Sequence, residues 1–379
     1  MFNFETLRLI WWFLLGFLLA GFAIFDGFDF GVAALLPWIA RTDSERRVVI
    51  NTIGPVWEGN QGWIILGAGA IFAAFPPLYG ASFSGFYLAL IGLLFSMILR
   101  PGGFKYRSKL QSPTWRSLWD HLLFVGGVVP ALLFGVAVGN VLEGAPFHFD
   151  EWHRLFYEGH FLSLLNPFAL LCGLVSVSML VSHGAIYLVN KTDGVINARA
   201  KQIASIGSLV TIVLFALGGL WVAFGIQGYV VTGGGAWDGP SNPFTKTVAL
   251  HAGAWLTNYV TYPWMILAPV LGFGGAVMTV RLVRSARPMW AFISSGSSIF
   301  GIVSTAGVSM FPFLMPSSSN PNQSLTVFDA SSSHDTLMIM LISIAIFMPI
   351  ILLYTAWVFK VMRGTVSGQY IDENSHSVY

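Results

Sequence analysis

The chain has 379 residues, 55% of them hydrophobic and only 9% charged, with a net charge of +2 and a mean hydropathy of +0.71. Soluble domains carry roughly 25% charged residues, so this composition, with 32 Phe and 14 Trp, excludes a soluble globular protein and indicates an integral membrane protein. The small net charge argues against nucleic-acid binding, and the single cysteine, Cys172, excludes an intrachain disulfide or a cysteine-based metal site.

The first apolar run, Thr6 to Leu36, lacks the basic flank and small-residue cleavage site of a removable signal peptide and is too long for one. A helix needs about 20 mostly apolar residues to cross the bilayer. That criterion predicts an all-α membrane protein with nine spans, the first six near Leu7–Leu36, Asn51–Phe75, Leu78–Leu99, Leu118–Asn140, Phe161–Leu188 and Ile203–Ile226. Thr261–Leu282, Pro288–Phe311 and Thr336–Phe359 complete the set. The second is the most polar, with Asn51, Glu58, Asn60 and Gln61 in its first turns.

Basic residues collect on the inner side of membrane proteins. Of the 19 Lys and Arg, 16 fall in or beside the loops after spans one, three, five and seven or in the C-terminal tail. This predicts an outer N-terminus and a cytoplasmic C-terminus, which an odd number of spans requires. The outer loop Gln227–Val260 holds the turn-forming clusters Thr232-Gly233-Gly234-Gly235 and Asp238-Gly239-Pro240-Ser241-Asn242-Pro243, so it is predicted to be mostly irregular.

Ionisable residues at membrane depth are costly and mark functional sites. Asp26 and Asp29 sit three apart in the first span, on one helix face, within Asp26-Gly27-Phe28-Asp29. Gly27 and Gly31 beside them allow close helix approach. At 1.5 Å per residue, Asp29 and Glu58 both lie roughly 10 Å from the inner ends of their antiparallel helices. Gln61 is three residues from Glu58, and Trp57 and Trp63 flank the patch. Arg100 ends the third span directly against its apolar run, within reach of Asp29, Glu58 or Asp120 at the inner surface, where Asp120 and His121 open the fourth span. One reading is a hydrated half-channel that passes cytoplasmic protons between carboxylates. The other is structural, with the acids paired to Arg100 or other polar groups to pin the helices together.

A b-type haem needs axial ligands, usually His, at membrane depth. Five histidines, His148, His153, His160, His251 and His334, fall in or beside outer loops. His121 and His183 are expected near inner helix ends, and His376 lies in the tail. No facing pair at mid-depth is predicted, so the chain is not expected to ligate a haem alone. Trp11, Trp12, Trp119, Trp221, Trp264, Trp290 and Trp357 fall near helix ends, as in interfacial belts. Ser294, Ser295, Ser297 and Ser298 suit interhelical hydrogen bonds.

A family resemblance runs through the whole chain in order. Ile10-Trp11-Trp12, Asp26-Gly27-Phe28-Asp29, Glu45-Arg46-Arg47, Trp57-Glu58-Gly59-Asn60-Gln61 and Phe83-Ser84-Gly85-Phe86-Tyr87 open it. Arg100-Pro101, Tyr106-Arg107-Ser108-Lys109, Asn166-Pro167-Phe168, Phe311-Pro312-Phe313, Met315-Pro316-Ser317-Ser318 and Leu352-Leu353-Tyr354-Thr355-Ala356-Trp357 continue it. The sequence closely resembles subunit II of the bacterial cytochrome bd-type quinol oxidases. The resemblance implies two four-helix bundles, here residues 1–140 with the acidic cluster and 161–311, plus a peripheral helix at 336–359. It also implies a similarly folded partner, subunit I, that holds two b-type haems, the d-type haem and the quinol-oxidising loop, with one or more small single-helix subunits. Such a complex of the bacterial inner membrane oxidises quinol outside, reduces oxygen to water and draws the protons from the cytoplasm. In the family, subunit II is linked to assembly, to proton supply and, in some members, to a structural quinone. By position, Asp29, Glu58, Arg100 and Asp120 match residues associated with these roles. Glu58 stands where many relatives have Asp, and Lys105 stands where several do. A proton-coupled secondary transporter is the alternative function, but such carriers commonly show paired internal repeats, and neither Asp-Gly-Phe-Asp nor Trp-Glu-Gly-Asn recurs later in the chain.

Overall fold

A computed structural model describes residues 2–235, 237–285 and 287–373 of the chain; His376 lies outside them. The protein is an all-helical membrane protein in which, among the described residues, eight helices are long and apolar enough to span a bilayer. The first comprises α1 (Phe4–Phe25) and α2 (Gly27–Ile39), broken at Asp26. The short helix α3 (Asp43–Ile53), capped by the Thr42 hydroxyl, precedes α4 (Trp57–Ala74). Next come α5 (Pro76–Gly85), α6 (Tyr87–Tyr106) and α7 (Pro113–Glu143). After the connection 144–166 come α8 (Pro167–Lys191), α9 (Gly194–Phe224), the single turn α10 (Thr257–Thr261), α11 (Leu267–Arg284) and α12 (Pro288–Met310). Helix α13 (His334–Val361) and the short α14 (Gly368–Glu373) end the described chain.

The polar start of the second predicted span is where sequence and structure part most. Residues 51–53 finish α3, and α4 begins only at Trp57. With Glu58, Asn60 and Gln61 in its first turns, α4 is not among the eight strongly apolar helices. It nevertheless runs antiparallel along the first span, Asn60 meeting Asp29 and Gly67 meeting Leu19. The third predicted span is likewise divided, into α5 and α6, at Phe86.

Three small antiparallel hairpins dress the end of the molecule that carries the N-terminus: β1 (Phe147–Phe149) with β2 (Leu155–Tyr157), β3 (Gln227–Gly234) with β4 (Lys246–Ala252), and β5 (Phe313–Met315) with β6 (Leu325–Thr326). The β3–β4 pair corrects the expectation of an irregular loop. Tyr229, Val230 and Val231, residues that favour strands, pair with Leu250, Ala249 and Val248, while the Gly and Pro clusters are confined to the shifted end and the connection. Arg8, fully buried, ties this hairpin down, donating to the Trp237 and Gly239 carbonyls and to the Ser241 and Ser331 hydroxyls. Trp11 also departs from its predicted interfacial place: it is a core residue whose Nε1 donates to the Leu337 carbonyl of α13.

Helix α2 is buried around nearly its whole circumference, against α7 and α8. Backbones touch there because glycines face one another. A Cβ on Gly31 would lie 2.0 Å from the Leu180 carbonyl oxygen, and one on Gly127 would lie 2.5 Å from the Ala34 nitrogen. Gly31→Ala is therefore expected to force α2 and α8 apart and cost about 3 kcal/mol, the upper end of ordinary overpacking. A lowered thermal midpoint of the purified protein would register it, and an unchanged midpoint would contradict the contact. Ser294 and Ser298 of α12 donate to the Gly275 and Gly272 carbonyls of α11, supplying the interhelical bonds expected of the serine face. Ser297 instead bonds within its own helix. Helix α13 packs mainly along α1 and α4, with Phe359 beside Phe25 and Phe28, and its other residues are partly buried or exposed apart from the buried Leu337.

Candidate functional site

The break between α1 and α2 brings the acids of the first span together with α4 and α6. Asp26 occupies the junction in helical conformation (φ −82°, ψ −19°), followed at once by Gly27, a residue that holds a helix weakly. Its carboxylate makes no cap bond to α2. It faces Arg100 of α6 instead, in a two-pronged pair at 2.7 and 3.0 Å, with both side chains wholly buried. The guanidinium also lies 4.0 Å from the Phe30 ring centre, so aromatic electrons supplement the carboxylate. Gly126 of α7 makes room for this side chain; a Cβ there would sit 3.2 Å from Arg100 Cγ. Arg100 therefore pairs with Asp26 and not with Asp29, Glu58 or Asp120, its expected partners. The reason is depth: α6 runs on to Tyr106, so Arg100 lies inside its helix and reaches the break, and does not end the span as the sequence suggested.

Asp29, in the first turn of α2, is also fully buried. Asn60 Nδ2 of α4 donates to its Oδ2 at 2.8 Å, whereas Oδ1 has no hydrogen-bond partner. Asn60 was not among the predicted site residues, although the burial pattern of α4 accounts for its position. Trp57, Asn60, Trp63, Gly67, Ala70 and Ala74 form the buried stripe, three or four residues apart. Glu58 lies off that stripe, two residues and some 200° from Asn60, and is exposed. Its level matches that of Asp29, within about 3 Å along the helix, but its face does not. The expected Asp29–Glu58 juxtaposition is replaced by Asp29–Asn60. Gln61 is half-buried. Trp63 stacks on Phe25 at 5.0 Å over Gly21, and Trp57 packs beside Phe104 with its indole N–H unpartnered.

Asp120 belongs to a separate cluster at the end of the molecule that carries α3. It accepts from Arg107 Nε at 2.5 Å and from Arg46 Nη1 at 2.8 Å. Arg107 reaches on to Asp43, which also binds Arg116. Both Asp120 oxygens are thus committed to guanidinium groups, and the cluster clamps α3 to α7. His121 is exposed and hydrogen-bonds the Ser117 carbonyl, and Lys105 is exposed. Beside the clamp, Glu45 joins Arg199 of α9 at 2.8 Å. Partial burial opposes its charge, but bonds from the Arg41 N–H and Arg199 outweigh it and hold the carboxyl below its usual value of 4.5. A lowered folded-state pKa adds stability above the unfolded value, which is lost as pH falls through the folded one. Amide exchange in α3 should therefore quicken below about pH 4.5, and Glu45→Gln should remove that pH dependence. Equal acid sensitivity in the variant would assign the effect to another group.

His183, expected near a helix end, is buried at the level of the break. Nε2 lies 3.1 Å from the Ile24 carbonyl and Nδ1 2.6 Å from Ser295 Oγ. Both ring nitrogens are engaged. Among the described residues no three His, Cys, Asp or Glu side chains gather in a way that could hold a metal ion.

The family model for cytochrome bd terminal oxidase subunit II matches residues 7–362. The chain belongs to the cytochrome bd oxidase subunit II family. It is thus a subunit of a cytochrome bd terminal oxidase, a membrane enzyme of respiration. A protein named probable cytochrome oxidase subunit 2 from Haemophilus influenzae is 49% identical over 379 residues, and both chains are covered in full. Cytochrome bd-I ubiquinol oxidase subunit 2 of Escherichia coli is 48% identical with the same complete coverage. The Bacillus subtilis cytochrome bd ubiquinol oxidase subunit 2 is 29% identical over 363 residues, 96% of this chain and 98% of its own. A chain of the bd oxidase structure from Geobacillus thermodenitrificans shares the fold with a TM-score of 0.70 at 18% identity, over 94% of this chain and 98% of that one. The full-length match sets aside the secondary-transporter alternative.

Proposed function

We propose that this subunit II is the non-haem subunit of a quinol:oxygen oxidoreductase in the bacterial cytoplasmic membrane, that it supports assembly of the haem-bearing subunit I, and that it admits cytoplasmic protons through Asp29. The observation that carries the proton reading is the state of Asp29: buried, oriented through one oxygen by Asn60, and unengaged at the other. An acid held this way can accept a proton at Oδ1 and release it without losing its place. Buried polar atoms without partners are rare enough in folded proteins to require an explanation. The Arg100–Asp26 pair and the Asp120 clamp take the structural roles, holding the helices around Asp29. Two b-type haems and a d-type haem are assigned to subunit I, and any structural quinone to the assembled complex.

Glu58 fits this reading from the other side of α4. A carboxylate at membrane depth facing lipid costs about 3 kcal/mol, so its face, with exposed Ile65 and Phe72 further along, is assigned to the joint with subunit I. The test is to purify the chain with its copurifying partners and record the haem spectrum and quinol-driven oxygen uptake. A haem-bearing partner and oxygen uptake are expected; finding neither overturns the proposal. Glu58→Gln should slow oxygen reduction while the haems stay bound. Normal turnover in a fully loaded variant would remove Glu58 from the route.

A further inference from the structure

We infer that His183 is a positioning residue for the acid pair: by donating from Nε2 to the Ile24 carbonyl it latches the break between α1 and α2, and so sets where Asp26 and Asp29 stand. The carbonyl oxygen can only accept, so the proton of that 3.1 Å bond belongs to Nε2. Ile24 lies in the last turn of α1, and the amide four residues on belongs to α2, across the break. Carbonyls at such a point need a partner from outside the helix. Ser182, the residue before His183 on α8, bonds to α9 through the Ala204 carbonyl and Ser208. His183 instead reaches from α8 to the backbone two residues before Asp26.

The ring is itself held. Nδ1 meets Ser295 Oγ of α12 at 2.6 Å, and the imidazole stacks on Phe292 at 4.6 Å with planes 14° apart. Gly296, next to Ser295, packs beside the ring and the break, where a Cβ would make ordinary contact at 4.0 Å from His183 Cε1 and 3.6 Å from Ile24 Cγ2. One side chain thus joins α8 and α12 to the break. Below it, Leu180 packs where a Cβ on Gly27 would stand. A histidine serving only as packing would not need a donor aimed at that carbonyl.

The latch rests on geometry alone, whereas its effect on turnover rests on the proton reading of Asp29. The experiment separates the two in the haem-loaded complex, by amide exchange over residues 22–31 and by the pH profile of oxygen uptake. His183→Leu should raise exchange across that segment and slow uptake about tenfold, most at alkaline pH where protons are scarce, while His183→Gln, which keeps an N–H for Ile24, stays within about threefold. Ser295→Ala, which frees one end of the ring without emptying the core, should raise exchange less, and it carries the test if His183→Leu does not assemble. Unchanged exchange, or an equal rise in His183→Gln, overturns the latch. Raised exchange with an unaltered pH profile overturns the positioning role. Asp29→Asn is measured alongside: normal turnover there removes the proton reading, while the exchange data still decide the latch.

Discussion

Replacing Arg100 by glutamine is expected to destabilise the subunit by about 3–5 kcal/mol, because it leaves the buried Asp26 carboxylate without its counter-charge. Folded domains are stable by only about 5–15 kcal/mol, so the variant should be recovered in low yield and should lose its partner subunit readily. The geometry is what makes the loss large. Two hydrogen bonds of 2.7 and 3.0 Å, the face of Phe30 and complete exclusion from solvent leave neither charge a second way to be satisfied. Removing both charges is a different case, since well-packed apolar replacements of a buried pair are often close to neutral. Asp26→Leu combined with Arg100→Leu should therefore recover much of the stability that Arg100→Gln loses. Thermal unfolding of the detergent-purified complex separates the cases, and a single variant with a wild-type midpoint would mean that the pair does not hold the helices together.

The long helices were legible in the sequence because hydrophobic length at membrane depth is a property of composition, which neighbours scarcely alter. Helix α12 begins at its predicted residue, and α13 extends two residues beyond its predicted range at each end. What could not be read was direction around a helix. Asp29 and Glu58 share a level, as the 1.5 Å rise requires, yet which face of α4 turns inward was decided by the stripe Trp57, Asn60, Trp63 and Gly67. That stripe is present in the sequence, but three of its members are apolar or small, and nothing local sets its one polar member, Asn60, apart from Glu58 and Gln61 beside it. The break at Asp26 was hidden for a different reason: Asp-Gly inside an apolar run suits either a continuous helix or two, and tertiary partners on α6 and α8 decide between them. The Asp120 clamp was not legible, because Asp43 and Arg46 come from α3 and Arg107 from the turn after α6, while Arg100 and His121, expected beside Asp120, take no part in it.

Asp29→Asn should reduce quinol-driven oxygen uptake about 100-fold, the scale of losing a positioned proton-transfer group, with the haems still bound and the complex intact. The substitution is nearly isosteric, so the packing of α2 against α4, α7 and α8 is undisturbed and Asn60 keeps a partner at the same place. What disappears is a group able to take up and release a proton. Activity and assembly should therefore come apart at this residue, in contrast to Arg100→Gln, where they fall together. Asn60→Ala gives the complementary loss: Asp29 keeps its carboxyl but not its orienting bond, and an unsatisfied buried acceptor costs about 1–3 kcal/mol. Its uptake should lie between wild type and Asp29→Asn, because the acid can still carry a proton but is no longer held in one place. Were Asn60→Ala as inactive as Asp29→Asn, orientation by α4 would matter as much as the acid itself. Were Asp29→Asn fully active, the buried carboxyl would be another strut of the fold, and protons would have to cross this subunit elsewhere or not at all.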